Sequence, residues 1–484
     1  MSKKQRTAVT PTRDEDFPEW YQQVIKAADM AENSPVRGCM IIKPYGFALW
    51  ENMQRIFDGM IKDAGVQNAY FPLLIPLNFM SREAEHVDGF AKECAVVTHH
   101  RLEAGEDGGL VPAGKLEEPY IIRPTSETII GDAMARWIQS YRDLPMKLNQ
   151  WCNVMRWEMR TRMFLRTSEF LWQEGHNAFE TADEARADSL KMLEAYRVFA
   201  EDYLALPVIT GEKTEDERFP GANATYTIEA MMQDGKALQA GTSHDLGQNF
   251  SKSIGIKFQG REGNEEFAHT TSWGISTRLI GGMIMTHADD DGMIMPPRVA
   301  PHHVVIIPIV KDGQNAAAMN AYIDDLVGQL RDNNIRVSVD DREERTPNKM
   351  WDAIKKGVPL RVEIGGREVE EGTLTYIRRD IGKDSKTTCS VPEFVKSVQG
   401  VLDAMHDDLF ARAKTFRDMN IVDGDDIKVV SKFFSKKSSI GFMKIPVEML
   451  QNPILEKIMK EHSLSTRCMP FADDGKKVLI GKAY

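Results

Sequence analysis

The sequence predicts an α+β multidomain protein, and three observations carry that expectation. The chain has 484 residues, too many for one hydrophobic core when domains usually run to roughly 100–200 residues. Its first 300 residues are rich in strand-like segments. Near residue 300 the pattern changes to strands alternating with helices, the spacing of a separate α/β unit. The expected division is a large strand-rich domain over 1–300, an α/β domain over 301–404 and a small α+β domain over 405–484.

Composition supports a folded, water-exposed protein. Hydrophobic residues make up 42% and charged residues 27%, far from the composition that leaves chains disordered. The net charge of −11 argues against nucleic acid coating every face and leaves room for a local basic groove. The opening MSKKQRTAVTPTRDEDF lacks the apolar run of a secretory signal. No apolar stretch of about 18 residues offers a bilayer span, so no membrane partner is expected and the cytoplasm is the expected location. Five cysteines, at 39, 94, 152, 389 and 468, are scattered without a CxxC pair, which predicts reduced, mostly buried thiols.

The elements follow in order. In GFALWENMQRIFDGMIKDAG (46–65), Trp50, Met53, Phe57, Met60 and Ile61 share one helical face and Gly65 is a natural stop. AYFPLLIP then reads as a strand whose Pro72 and Pro76 would each remove a ladder hydrogen bond, placing it at an edge or an interface. Residues 88–119 read as a loop or flap. Thr181 and Glu184 have capping-box spacing at the head of a long amphipathic helix. Strands follow in TYTIEAMM and KALQAGTSHDLGQNF. Beyond 300 come VVIIPIV, a helix from about 315 to 332, IRVSVDD, the helix TPNKMWDAIKKG with Thr346 as cap and Pro347 as first helical residue, and PLRVEIGG. VLIGKAY reads as a further strand.

The chemistry concentrates in RWEMRTRMFLRTSEFLWQEGHNAF (156–179), where four arginines alternate with aromatic residues. As a hairpin turning near 160–163, it would project Arg156, Glu158 and Arg166 from one face. Arginine forks suit phosphate or carboxylate, and aromatic rings stack on a flat base. Phosphates, a purine and a small acid would fit together. Read alone, the stretch favours a solvated hairpin whose arginines pair with Glu158, Glu169 and Glu174.

Its neighbours tilt that balance. RPTSET sets Thr125 and Glu127 directly after a strand, and QAGTSHDLGQNF gathers Gln239, Thr242 and His244. SWGISTRLIGGMIMTHADDDG puts Arg278 at a helix N-terminus, where the macrodipole is already positive and an anion would relieve it. Rival chemistries lack their motifs: there is no HExxH, no GxxxxGK[ST] loop and no GxSxG elbow.

Taken together and in order, YFPLLIP, RPTSET, NQWCNVMRWEMRTRMFLRTSEFLWQEGHNAF, QAGTSHDLGQNF and SWGISTRLIGGMIMTHADDDGMIMPPRVAPHHVVIIP resemble the signature segments of the prolyl-tRNA synthetases, class II aminoacyl-tRNA synthetases, and most of all their archaeal and eukaryotic-like form. The resemblance runs from about residue 20 to about 400. It implies an antiparallel-sheet catalytic core, an α/β anticodon-binding domain and a homodimer formed partly around Pro72. It also implies ATP with Mg2+, L-proline and tRNA(Pro) as ligands. Carried over by position, Thr125, Glu127, Arg156, Trp172, His176 and His244 would hold proline. Arg156, Glu158, Arg166, Thr167, Phe170, Gln239, Thr242, Ser276 and Arg278 would hold ATP, with Phe170 stacking on adenine and Gln239 near magnesium. Arg156 and Arg278 would be the catalytic pair.

In the α/β domain, Arg345, Lys349, Glu363 and Arg367 are candidate readers of the anticodon, or a solvated charged face. Arg160 and Arg162 either reach for the tRNA acceptor end or face water. Two departures from the family matter. Some members carry a four-cysteine zinc site in the tail, where this chain has only Cys468, so no zinc is expected. The bacterial form's large editing insert has no room in the roughly 90 residues between Phe179 and Thr270. Tyr484 resembles the family's C-terminal tyrosine, whose carboxylate approaches the active site.

Overall fold

The computed structural model describes residues 7–79, 93–310, 316–436 and 439–484. Parts of two expectations, at 88–92 and at 315, lie outside these residues.

An eight-stranded sheet organises the first domain. Its strands are β1 (Gln67–Asn68), β2 (Met146–Met155), β3 (Glu169–Phe179), β4 (Val208–Glu212), β5 (Ala224–Met231), β6 (Ala237–Gly247), β7 (His269–Ser276) and β8 (Met469–Pro470). Their order across the sheet is β8-β4-β5-β6-β7-β3-β2-β1. Every pair is antiparallel except β1 with β2.

One face of the sheet is covered by the helix Ala182–Val198, which buries Ala185, Met192, Leu193 and Tyr196. Its predicted capping box is present: Thr181 Oγ1 accepts from the Glu184 amide, and the Glu184 carboxylate accepts from the Thr181 amide. Helix Pro44–Asp63 buries Leu49, Trp50, Met53, Phe57 and Ile61, a three-and-four spacing that makes one apolar stripe. Phe57 stacks on Tyr196 and meets Trp151 edge-on, joining this helix to the sheet. Gly65, at φ +84°, supplies the left-handed turn that ends it.

Several expectations need correction. Residues 95–122 are not a loop. Ala95–Ala104 and Leu110–Ile122 form a long antiparallel hairpin, with Leu74–Pro76 added on its other side as an edge strand. The arginine-rich stretch is not strand from its first residue either. β2 ends at Met155 and β3 begins at Glu169, and 156–168 fold back on themselves through a bridge between Arg162 and Arg166. Burial of Phe164 and Leu165 explains this. Both drop into the main core, Phe164 adopts φ +62°, and Tyr21 Oη donates to the Met163 carbonyl. Apolar anchoring overrides period-two alternation here.

The second unit has a five-stranded sheet ordered 337–339, 304–309, 360–365, 373–378, 387–390, parallel for the first three strands and antiparallel beyond. Val304, Ile306, Leu326, Leu360, Val362, Phe394 and Leu402 fill its core. Thr346 is the first residue of helix Thr346–Lys356 rather than its cap; Arg345 holds the cap position without a side-chain bond. Helix Val391–Met419 runs unbroken through residue 404, so the expected boundary there falls inside one element. Beyond it lies a four-stranded sheet ordered 421–423, 442–446, 477–481, 465–466, packed on helices Ile427–Ser435 and Pro453–His462.

All five cysteines are free, and only Cys468 is buried, the others being half-buried. The expectation of mostly buried thiols is therefore too strong. Among the described residues no helix is long and apolar enough to cross a membrane.

Candidate active site

The strand register builds the site. His176, Ser272, His244 and Thr225 are consecutive partners across β3, β7, β6 and β5. One step along, Glu174, Gly274, Thr242 and Thr227 form the next row. Because strand side chains alternate in direction, both rows share one face. That face floors a cavity of about 290 Å³ lined by Thr125, Glu127, Arg156, Trp172, Glu174, His176, Gln239, Thr242 and His244. Every residue expected to hold proline is therefore gathered at one place, with Gln239 and Thr242 of the ATP set.

Gly175 makes this floor possible. A Cβ there would stand 2.1 Å from the Trp273 indole, so only glycine lets β3 lie against β7 at this point.

Charge in the cavity is held in fixed positions. Glu174 is 2% exposed and accepts from the Ser126 amide at 3.2 Å, Ser126 Oγ at 2.5 Å and Gln150 Nε2 at 3.2 Å. Burial pushes its pKa up, but the His176 and Ser126 contacts more than offset that and keep it below the usual carboxylate range. Thr125 donates its hydroxyl to Glu127, which opens helix Glu127–Trp137. His244 is kept neutral: burial, with the charges of His176 and Lys213 behind it, pushes its pKa down to about 3. Its Nδ1 lies 3.0 Å from Thr225 Oγ1, and its ring lies 4.5 Å from that of Phe219.

Arg156 stands at the mouth. Its Nε donates to the Pro124 carbonyl at 2.8 Å, and its guanidinium lies 5.3 Å from the Trp172 ring and 5.6 Å from Phe170. Beyond it is a second cluster of cations. Burial, together with the charges of Arg166 and Arg156, lowers the Arg278 pKa to about 10. Arg278 Nε donates to the Leu165 carbonyl, while Ser276 Oγ accepts from the Arg278 amide at 3.2 Å. Among the described residues, the one ion pair to a carboxylate in this group is Arg166 with Glu158, at 4.0 Å. Three guanidiniums with so little counter-charge make a place for a polyanion. Phe170 stands perpendicular to Trp172 with ring centres 6.0 Å apart. Thr167 differs from its companions, its side chain lining a separate cavity beside Cys39 and Met163.

The four candidate anticodon residues are not gathered. Lys349 is buried and donates to the Asp340 carbonyl, and Glu363 is buried against Arg361. Arg367 is exposed and pairs with Glu371, while the Arg345 amide donates to Glu344. Of the turn arginines, Arg160 is exposed, and Arg162 lies 5.9 Å from the Tyr484 ring. Tyr484 Oη donates to Asp234 at 2.6 Å.

Four residues that belong to the site were not singled out by sequence reasoning. Glu174 had a signal, sitting between Trp172 and His176 at period two. Lys213, Glu229 and Arg467 had none. Lys213 lines the cavity, and both it and Arg467 pair with the fully buried Glu229, Arg467 from more than two hundred residues away in sequence.

An antiparallel sheet presenting buried carboxylates, a mouth arginine and an arginine cluster is the arrangement of a class II synthetase core. The family model for the tRNA synthetase class II core domain (G, H, P, S and T) matches residues 113–287, and that for the anticodon binding domain matches 303–400. The proline–tRNA ligase of Bdellovibrio bacteriovorus is 56% identical over 98% of this chain and 97% of its own, and that of Rhodopirellula baltica is 55% identical over 100% and 97%. The crystal structure of Cryptosporidium parvum prolyl-tRNA synthetase with L-proline and AMP superposes with a TM-score of 0.88 at 36% identity, covering 98% of this chain and 99% of that one. The same enzyme complexed with halofuginone and AMPPNP gives the same score. The chain belongs to the proline–tRNA ligase family.

Proposed function

We propose that the chain activates L-proline with ATP to prolyl-adenylate, releasing pyrophosphate, and then transfers the prolyl group to the 3′ end of tRNA(Pro), releasing AMP. The observation that carries this reading is Arg156, which stands between a small cavity holding two carboxylates and a cluster of otherwise weakly paired arginines.

Proline enters with its ring against Trp172 and Phe219 and its ammonium facing Glu127, with Thr125, His176 and neutral His244 completing the wall. Its carboxylate turns toward Arg156. ATP lies with its base on Phe170 and its phosphates toward Arg166, Arg278, Thr242 and Gln239, supported by Glu158 and Ser276, while Thr167, in its separate cavity, is left out of the set. Attack of the carboxylate on the α-phosphate is an in-line displacement that needs no protein nucleophile. Positioning and charge stabilisation supply the rate. Arg156 bridges carboxylate and α-phosphate, and Arg278 steadies the departing pyrophosphate. Magnesium bound to ATP would neutralise phosphate charge. Gln239 would offer it an amide oxygen, while the register-paired Glu229 is already held by two cations.

The archaeal and eukaryotic-like form is supported by the short span between β3 and β7, and a homodimer by the apolar surface of Tyr70, Leu74 and Trp137, Tyr70 being 77% exposed. Arg345 and Arg367 remain the exposed candidates for tRNA contact, with Lys349 and Glu363 shaping the surface from below. The cytoplasm is the proposed location. Among the described residues no group of three or more His, Cys, Asp or Glu is placed to hold a metal, and zinc is not part of the proposal.

Pyrophosphate exchange into ATP, measured with each amino acid in turn, tests the reading. Stimulation by proline supports it; equal exchange with all amino acids, or none, would overturn it.

A further inference from the structure

The last part of the chain reaches into the catalytic sheet. Ser465–Thr466 pairs with Lys477–Gly481 inside the tail domain, and after two intervening residues β8 pairs with β4 at the edge of the catalytic sheet. Arg467 lies between these two attachments. Its Nε and Nη2 donate to one oxygen of Glu229 at 3.1 and 2.9 Å, and its Nη1 donates to Ser465 Oγ at 2.8 Å. The other oxygen of Glu229 faces Lys213 Nζ at 3.1 Å and accepts from Thr227 Oγ1 at 3.1 Å. Lys213, Glu229 and Arg467 are 2%, 0% and 6% exposed.

Two cations on one carboxylate leave a surplus of one positive charge in a buried place. Such a charge is stable only where something anionic balances it. Lys213 is the member of the trio that lines the cavity. The influence reaches the arginine cluster too, since Glu229 raises and Arg467 lowers the pKa of Arg278.

We propose that Arg467 is a positioning residue for amino-acid activation: by saturating Glu229 from the tail domain, it frees the charge of Lys213 to face the anionic substrates. Without Arg467, Glu229 and Lys213 form a neutral pair and the cavity loses that charge. The tail domain thereby takes part in catalysis through a residue that acts on Glu229 and Lys213 rather than on substrate.

This inference rests on the function proposed above, and the experiment separates the two. Proline-dependent pyrophosphate exchange is measured on the full chain for wild type, Arg467→Met, Arg467→Lys and the double variant Glu229→Gln/Arg467→Met. Failure of the wild type to exchange would overturn the proposed function itself. With an active wild type, Arg467→Met should lower kcat/KM for ATP by roughly tenfold to a hundredfold, the scale of a misplaced group next to the reacting atoms. Arg467→Lys keeps the charge and should retain most activity. The double variant removes the arginine and the carboxylate together, leaves Lys213 unneutralised and should recover activity relative to Arg467→Met. A purely structural role predicts the opposite, because the double variant loses more contacts. Unchanged kinetics in Arg467→Met, or a double variant no better than that single one, would overturn the proposal. If Arg467→Met does not fold, an active double variant still supports it and an inactive one counts against it.

Discussion

His176 Nε2 stands 3.0 Å from a carboxylate oxygen of Glu174, and both side chains are buried in the cavity floor. Burial acts against the charged form of each, yet the contact reverses the outcome. The His176 pKa is raised by Glu174 and Glu127, and the Glu174 pKa is lowered by His176, Ser126 and Gln150.

The pH dependence of this pair follows from those directions. The His176 contribution to stability is complete below its unfolded pKa of about 6.5 and is lost as pH rises through its raised folded value. That of Glu174 is present above about 4.3 and is lost as pH falls through its depressed folded value. Replacing Glu174 with Gln should move the His176 titration to lower pH, read by NMR of the imidazole Cε1 proton. It should also cost about 3–5 kcal/mol, the usual effect of removing one partner of a buried pair. An unmoved His176 titration would refute the pairing.

Four other histidines behave in the reverse sense. Burial pushes His244, His287 and His303 down to about 3 and His406 to about 4. In the unfolded chain each takes up a proton near pH 6.5, so the unfolded state binds more protons below that value. Stability should fall on acidification from about pH 6.5, by up to ~1.4 kcal/mol per pH unit for each group. Urea melts at a series of pH values measure the slope. A flat profile between pH 6.5 and 4.5 would contradict this reading.

Arg156→Ala should remove about 3 kcal/mol of transition-state stabilisation, roughly a hundredfold or more in exchange rate. Arg156→Lys should recover little, because a single ammonium cannot reproduce the fork that spans two oxyanions. Near-wild-type exchange in either variant would remove Arg156 from its catalytic role.

Gly175→Ala tests the floor itself. The added methyl meets the Trp273 indole well inside contact distance, so β3 or Trp273 must shift. A loss of about 1–3 kcal/mol is expected from such overpacking, with lower affinity for proline. Thermal melts and proline KM together check it; a variant as stable and active as wild type would show that the sheet yields freely there.

Much of this was readable in the sequence, because the signals were local. Helix 44–63 followed from its apolar spacing, the Thr181–Glu184 cap from three-residue spacing, and the cavity-lining residues from short motifs at 123–128, 172–176 and 239–244, each of which stays together in the fold. Other features depended on distant partners. The 156–168 segment has the alternation of a strand, but Phe164 and Leu165 find a core supplied by residues near the start of the chain, and burial decides. Residues 95–104 and 110–122 mix apolar and charged side chains without strict alternation and leave most of them exposed, so the strand signal was weak; their pairing comes from backbone bonds to each other. Lys213, Glu229 and Arg467 are ordinary charges in ordinary contexts, and only the fold brings them together.

The return of residues 469–470 to the catalytic sheet also orders events during synthesis. Seven of the eight strands leave the ribosome before residue 280, while the outer edge at β4 waits for nearly two hundred more residues, including the whole anticodon unit. Closing so long a loop adds little entropy beyond that of a shorter one. During that wait β4 is an exposed edge open to wrong pairing, and Glu229 holds one cation instead of two. The nascent chain therefore completes its activation chemistry last, only once the part that docks on tRNA has already been made.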